Sequence, residues 1–471
     1  KFIPEKHAYT IRSWSGASTG DEGYIVLRSF GEKYYIAAPI VTANTHLEYK
    51  QYESPRHIVI RDTWGEVQRA EITEDTAVRY QGASRSDVLA MAERGDTVTY
   101  LEGTDEWTRV ITENGIVGWV ESSDISELSA YTLEEPESGL PGYTSIRKDY
   151  RISMAWHQVM YYGANYDVGD YLYYAPGLNT ISPTWFSFDD TDGDITAIGS
   201  SDYVETCHDY GVEVWALFSN EFENEEGTLV FDSDRTAELL ASSSSRENAI
   251  EQLMSYAQSY GIDGINLDFE YIYEDTAPDY IQFIRELSVA CRHFGLVLSV
   301  DDYVPFHFNE HYRLDIQGQV ADYVIIMGYD EHWHGSGDPG SVASIDYVTN
   351  GIEKTVSEVP AQKVINALPF YTIVWTTNGA MVTDEYLTMN NTPAFLQQVG
   401  VEPQWDETTC QNYLEWTSNA GLKQVWLEDA ESVRAKLNVM SANEIGGVAV
   451  WRLGYGTDAV WEMINAYTSA L

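Results

Sequence analysis

The sequence predicts an α/β protein whose larger part is a TIM (β/α)8 barrel with a small insertion after strand seven, preceded by two small β-rich modules. Three observations carry that prediction. From about residue 150 onward, apolar β-like runs alternate with helix-length segments, the pattern of parallel strands joined by crossover helices. No glycine-rich phosphate turn follows the first of these runs, although a doubly wound sheet would more often show one. Before residue 127, short runs broken by Gly, Pro, Asp and Asn read as hairpins instead of crossovers.

In chain order, residues 1–70 contain YIVLRSF from Tyr24, KYYIAAP from Lys33 and HIVIRDTW from His57, a small β-rich module. Residues 71–126 read AEITEDTAVRY, VLAMAERGDTVTYLEG, EWTRVITENG and IVGWVES, the short strands of a small barrel. Residues 127–149 are rich in Glu, Ser, Pro and Gly, keep no apolar period and read as a linker. Residues 150–471 hold the eight barrel strands, expected to start near Arg151, Thr180, Val212, Gly264, Val297, Tyr323, Val364 and Gly446. RENAIEQLMSYAQSYG and APDYIQFIRELSVACRHFG are helices between them. The stretch from strand seven to strand eight, about 372–445, is too long for one helix and its loops, so an inserted subdomain is expected there.

Composition narrows the function. The 471 residues carry 27 Lys plus Arg against 74 Asp plus Glu, a formal charge of −47, which would repel a phosphate backbone and excludes nucleic acid as a partner. A mean hydropathy of −0.30 and the absence of any apolar run near the ~20 residues of a membrane helix predict a soluble chain with no membrane span. With 34 Tyr and 14 Trp against 14 Phe, faces that stack on sugar rings are abundant, which makes carbohydrate the first substrate class to test. Cys207, Cys291 and Cys410 are far apart and form neither a disulfide framework nor a zinc knuckle. The opening KFIPEKHAYT has no apolar leader, so a signal or anchor is expected to have been removed or to lie elsewhere.

The chemistry concentrates in YGIDGINLDFEYIY around strand four. The strand period of two puts Ile265, Leu267 and Phe269 on one face and Asn266, Asp268 and Glu270 on the other. The outer face has to meet helices, so the polar face points into the barrel. Ionised carboxylates there cost several kcal/mol unless paired, so core packing does not explain them. Asp268 and Glu270 should be roughly 6 to 7 Å apart at Cα. Like charge and burial should then raise one carboxyl and leave the other ionised, with Glu270, nearer the open mouth, the acid. Asp263 has the wrong parity for the pocket and is expected only in support.

DGINLDFE, Asp263 to Glu270, resembles the DxxDxDxE strand-four signature of glycoside hydrolase family 18, the chitinase-like family. Asn266 departs from it, keeping hydrogen-bonding capacity but removing a charge, so the proton-sharing partner of Asp268 differs. Asn at this place is shared by a subgroup resembling the spore-cortex and cell-wall N-acetylglucosaminidases. MGYD, Met327 to Asp330, resembles the strand-six motif, and the loop EHWHGSGDPGSVAS resembles that of the spore-cortex subgroup. LPFYTIVW resembles strand seven, and GGVAVWRLG resembles strand eight with its floor tryptophan, Trp451. In residues 71–126, the VR near the start, the GD before a β-run, Trp107 and the pair Gly118 and Trp119 resemble the bacterial Src-homology-3-like domains often attached to wall-active enzymes.

The resemblance implies a retaining hydrolysis in which the substrate's own 2-acetamido oxygen attacks the anomeric carbon, with no enzyme nucleophile and no cofactor. Glu270 would protonate the leaving oxygen and later activate water. Asp268 would orient the acetamido N–H and stabilise the oxazolinium ion, and Tyr329 would hydrogen bond the acetamido oxygen. Trp451 would floor the sugar, with Asn266, Met327, Asp330 and Tyr371 as further substrate contacts. Tyr371 and Trp375 either line the cleft or pack the insertion against the barrel, and Asn220 ends strand three where barrel loops bind ligand. The expected partner is an N-acetylglucosamine-containing polysaccharide, peptidoglycan glycan strands ahead of chitin, with the N-terminal modules assisting wall association at an extracellular or cell-surface location.

Three other patterns are set aside, and no metal site is expected. HFNEH, His307 to His311, matches HxxEH in letters but follows a Pro-bounded strand end instead of lying on a helix. His332 and His334 flank Trp333 in a loop and suit a cleft rim. DDTDGD, Asp189 to Asp194, lacks the Gly and Glu that a calcium loop places at its sixth and twelfth positions.

Overall fold

The computed structural model describes all residues except 1–4, 14, 15, 22, 32, 54, 137–143 and 471. The chain divides into two compact units, 1–142 and 143–471.

In the first unit, three two-stranded ladders (Ala8–Ser13 with Gly16–Asp21, Leu27–Phe30 with Lys33–Ile36, Glu48–Glu53 with Arg56–Arg61) precede a seven-stranded antiparallel sheet. That sheet buries Ala70, Ile72, Val78, Ala92, Val98, Val110 and Val120 as its own core. One of its two edge strands is Ser129–Leu133, paired with Gly65–Glu71, so the segment expected to be a linker begins as a strand. Arg69 lies 3.5 Å over the Tyr131 ring, an interaction that the Ser, Pro and Glu content around it concealed.

The second unit is a closed parallel barrel. Its strands are β1 (Ile152–His157), β2 (Thr180–Phe188), β3 (Glu213–Glu223), β4 (Gly264–Asp268), β5 (Val297–Tyr303), β6 (Tyr323–Met327), β7 (Val364–Pro369) and β8 (Gly447–Trp451). Each pairs in parallel with the next, and β8 closes on β1 through Ile152 and Gly447. Among the described residues the barrel's helices include α1 (Val168–Tyr173), α2 (Ser201–Asp209), α3 (Ser243–Tyr260), α4 (Ala277–Phe294), α5 (Leu314–Val320), α6 (Ile345–Val356), α7 (Ala430–Ala442) and α8 (Asp458–Ser469), with a further short helix, Ser233–Ala241, packed against α3 and α4.

Capping fixes where these helices begin and end. The Ser242 side chain accepts the Ser245 N–H at the start of α3, and Gly261 ends the helix at φ +76°, a conformation that favours glycine. Strand parity then sorts the barrel into two cores. Ile152, Met154, Trp156, Trp215, Leu217, Val297, Tyr323, Ile325, Ile365, Ala367 and Ala449 fill the inside, whereas the alternate residues meet the helices. The N-terminal end of the barrel is stoppered by 145–148. Ser145 and the Ile146 N–H donate to Asp322, the Lys148 N–H donates to the Tyr323 hydroxyl, and Ile146 packs on the inner core. The other end is open.

After β7 the chain builds a five-stranded antiparallel sheet over 371–427, flanked by the helix Thr392–Val399. Helix α7 lies within the 372–445 span assigned by sequence to the insertion, but it packs on α6 and α8 as a barrel helix. No helix among the described residues is long and apolar enough to cross a membrane.

Candidate active site

The strand ends at the open face surround a cleft of about 860 Å³, within the size range of small-molecule sites. Asp268, Glu270, Met327, Tyr329, Asp330, Tyr371 and Trp451 all line it. Short antiparallel extensions, Ile195–Ala197 on β2 and Leu229–Phe231 on β3, raise one wall.

Glu270 lies two residues beyond the end of β4 and is held from both sides. The Tyr303 hydroxyl donates to its Oε2 at 2.7 Å. Asn220 clamps its backbone, accepting the Glu270 N–H and donating to the Glu270 carbonyl, each at 2.8 Å. Asn220 is therefore a positioning residue and not a lining one. Replacing it with Ala strands buried backbone groups of Glu270. Asn220→Ala should lower kcat by roughly tenfold and stability by about 1–3 kcal/mol, measurable by steady-state kinetics and denaturant titration. Unaltered kcat would show that the clamp is dispensable.

Burial pushes the Glu270 carboxyl up to about 7, with Asp330 and Glu221 adding to the rise and the Tyr303 hydrogen bond opposing it. It is an acid that still holds its proton near neutral pH. Asp268 is raised by burial first and then by Glu270 and Asp301, which corrects the expectation that one of the two carboxyls stays ionised: both lie deep enough for burial to favour their neutral forms. Tyr371 donates to Asp330, whose backbone stands in the left-handed region at φ +62°. Tyr271, directly after Glu270, is left-handed too at φ +53°. Such conformations cost a non-glycine residue about 1–2 kcal/mol and gather at functional sites. At β6, an added Cβ on Gly328 would meet the Ala367 carbonyl at 2.7 Å, so the turn carrying Tyr329 and Asp330 requires glycine there. Trp451 closes the bottom of the cleft with its ring centroid 6.0 Å from that of Trp156.

Asn266 does not line the cleft. Trp156 Nε1 and Ser182 Oγ donate to its Oδ1, and its Nδ2 donates to Ser299 and Asp301, so it is fully used one layer below Asp268. This corrects its expected place among the sugar contacts: it supports the carboxylates from underneath. Trp375 also stands away from the cleft, donating from Nε1 to the Gly340 carbonyl and packing the insertion against that loop. Asp263, at the opposite end of β4, accepts from the Val214 N–H and pairs with His208.

The remaining motifs fall outside the cleft. HFNEH lies on a short 3-10 helix, His307–Tyr312, and not in the loop expected, but His307 bonds Glu310 and His311 bonds the Ile272 carbonyl, so its two imidazoles have separate partners. His334 pairs with Asp384 and stacks on Tyr386, a lining residue, whereas His332 bonds the Asp338 carbonyl. Asp190 caps its own turn by accepting the N–H groups of Asp192 and Asp194.

Sequence reasoning missed Glu221, Asp301 and Tyr303, all of which line the cleft. Parity along VLSVDDY would have found two of them, because Ser299, Asp301 and Tyr303 alternate with the outward residues as Asn266, Asp268 and Glu270 do.

The family of glycosyl hydrolases family 18 matches residues 230–456, and the bacterial SH3 domain family matches 74–126. The chain is 25% identical over 300 residues to the uncharacterized glycosylase YvbX of Bacillus subtilis (strain 168), covering 62% of this chain and 85% of that protein. It is 26% identical over 244 residues to the cortical fragment-lytic enzyme of Bacillus anthracis, covering 50% of this chain and 56%, little more than half, of that relative. The crystal structure of chitinase from Chromobacterium violaceum ATCC 12472 superposes with a TM-score of 0.60 at 25% identity, covering 68% of this chain and 99% of that one. The chain thus contains a glycosyl hydrolases family 18 domain over residues 230–456, after a bacterial SH3 domain over 74–126, and its matches to a cortical fragment-lytic enzyme and to chitinases support a glycoside hydrolase.

Proposed function

We propose that the barrel cleaves β-1,4 glycosidic bonds next to N-acetylglucosamine, with retention, in peptidoglycan glycan strands. The observation that carries this reading is the pairing of one carboxyl poised near neutral, Glu270, with a more deeply set one, Asp268, above an indole floor. Glu270 gives its proton to the glycosidic oxygen as that bond breaks. The substrate's acetamido oxygen bonds to the anomeric carbon, forming a cyclic oxazolinium ion. Asp268 accepts the acetamido N–H and balances the positive charge, and Tyr329 donates to the acetamido oxygen before it attacks. Water then loses a proton to Glu270 as it opens the ring from the face the leaving group vacated, so configuration is kept and the enzyme returns to its starting state.

Two features favour peptidoglycan over chitin: Asn266 within the strand-four motif, and the bacterial SH3 domain, a type suited to wall association. The cortical fragment-lytic relative points the same way, and a wall substrate places the protein outside the cytoplasm at the cell surface. The likeness to a chitinase structure favours chitin as the second reading. Incubation with purified glycan strands and with chitooligosaccharides, followed by mass spectrometry and proton NMR of fresh products, tests both. The expected result is faster cleavage of glycan strands with the β-anomer formed first. Initial α-anomer would refute the acetamido mechanism, and absence of cleavage on either substrate would make the barrel a sugar-binding module.

A further inference from the structure

The acid that the family motif places at position 266 is missing here, yet the carboxylate count in its layer of the barrel is restored from the neighbouring strand. We propose that Asp301, on β5, is the proton-sharing partner of Asp268. This assignment rests on the hydrolytic reading above and deepens it.

The register makes the juxtaposition. Gly264 pairs with Val297 and Leu267 with Val300, so one further step along both strands sets Asp301 beside Asp268. Both are inward positions lining the cleft, and Asp301 is only 2% exposed. The orientation of Asn266 is fixed by the indole N–H of Trp156 on its oxygen, which leaves Nδ2 to donate at 2.7 Å to Asp301 Oδ1. The other oxygen, Asp301 Oδ2, is buried with no hydrogen-bond partner among the described residues, and so is Asp268 Oδ1. Two buried carboxyl oxygens on adjacent strands, each without a donor, are satisfied together by a single proton held between the two groups. Burial raises both carboxyls, with Glu270 adding to the rise at each and Asp301, Glu221 and Asp302 adding to it at Asp268; hydrogen bonds from Asn266 and Trp156 oppose the rise at Asp301 alone, and Arg452 is the cation on the cleft wall, so burial and the neighbouring acids set the pair against double ionisation.

The pair carries one proton and one negative charge. As the oxazolinium ion forms, the shared proton moves from Asp268 Oδ1 to Asp301 Oδ2, which concentrates the charge on the carboxylate nearest the cation. When water opens the ring the proton moves back. No other bond changes.

The test uses the whole chain with the p-nitrophenyl β-glycoside of di-N-acetylchitobiose as probe. In Asp301→Asn the amide can still accept from Asn266, so the fold should hold. The charge is then confined to Asp268, next to Glu270, and Glu270 keeps its proton to higher pH. The expected result is a kcat lower by roughly tenfold, KM within about twofold and an alkaline limb of the kcat profile moved upward. Asn266→Asp in the parent sets two carboxylates against each other and should also lower kcat. Combined with Asp301→Asn it returns an acid to the layer and should restore turnover. A displaced profile supports the assignment, and restoration strengthens it. The proposal is overturned if Asp301→Asn stays within twofold of the parent, or if kcat falls while the profile keeps its position, as loss of mere packing would give. Glu270→Gln run alongside separates the two levels: parental turnover in that variant sinks the hydrolytic mechanism, whereas its inactivation beside an unaffected Asp301→Asn sinks only the proton-sharing role.

Discussion

Glu270→Gln is expected to lower kcat by about 10³-fold or more with little change in KM, because the amide neither protonates the leaving oxygen nor takes a proton from water. That is about 4 kcal/mol of transition-state stabilisation lost at one nearly isosteric site. The same substitution should stabilise the fold at alkaline pH. The folded-state carboxyl is raised from 4.5 to about 7, so the folded chain binds its proton more tightly than the unfolded chain does. That contribution is fully present below pH 4.5 and is lost as pH rises through 7, where the buried group must ionise in place. The shift corresponds to at most about 3 kcal/mol. Thermal melts of parent and variant should therefore coincide near pH 5 and separate near pH 8, the variant melting higher. Equal melts at pH 8 would show that Glu270 ionises without penalty, and retention of parental kcat would remove it from the chemistry.

The barrel was open to a reading from sequence because each of its strands obeys a local rule. The polar face of Asn266, Asp268 and Glu270 follows from the period of two, and the helices announce themselves by caps and glycine stops such as Gly261 and Gly295. Pairing between distant segments was less accessible. Nothing local says that Asp301 comes to rest beside Asp268, because that depends on the register of β5 against β4. Asn266 illustrates the same limit. Its side chain points inward as parity requires, but its depth, one layer below the cleft, is set by where β4 ends relative to Trp156 and Ser182. Ser129–Leu133 was hidden for a compositional reason: a short edge strand with exposed Ser and Thr looks like a linker until its partner, Gly65–Glu71, is in place.

The insertion over 371–427 is joined to the barrel through buried charge, and that junction should govern stability. Lys436, on α7, and Glu428, at the end of the inserted sheet, form an ion pair with both side chains wholly buried. Glu428 also accepts from Gln411 on a neighbouring inserted strand and from Ser432 on α7. Ser341 in turn donates to Gln411, and the adjacent backbone, Val342, accepts from the Glu331 N–H next to Asp330. One chain of polar contacts thus runs from α7 through the inserted sheet to the loop that carries a cleft carboxylate. Lys436→Met removes the cation and leaves Glu428 buried with neutral donors alone, which should cost about 3–5 kcal/mol in unfolding free energy. The double variant Lys436→Met with Glu428→Gln removes the stranded charge and should recover most of that loss, since well-packed neutral replacements of a buried pair are often neutral or stabilising. Guanidinium titrations of the parent, Lys436→Met, Glu428→Gln and the double variant give the coupling. A single-variant cost under about 1 kcal/mol would mean that Glu428 takes up a proton or finds water at little expense, and that the insertion is fastened by its apolar contacts instead.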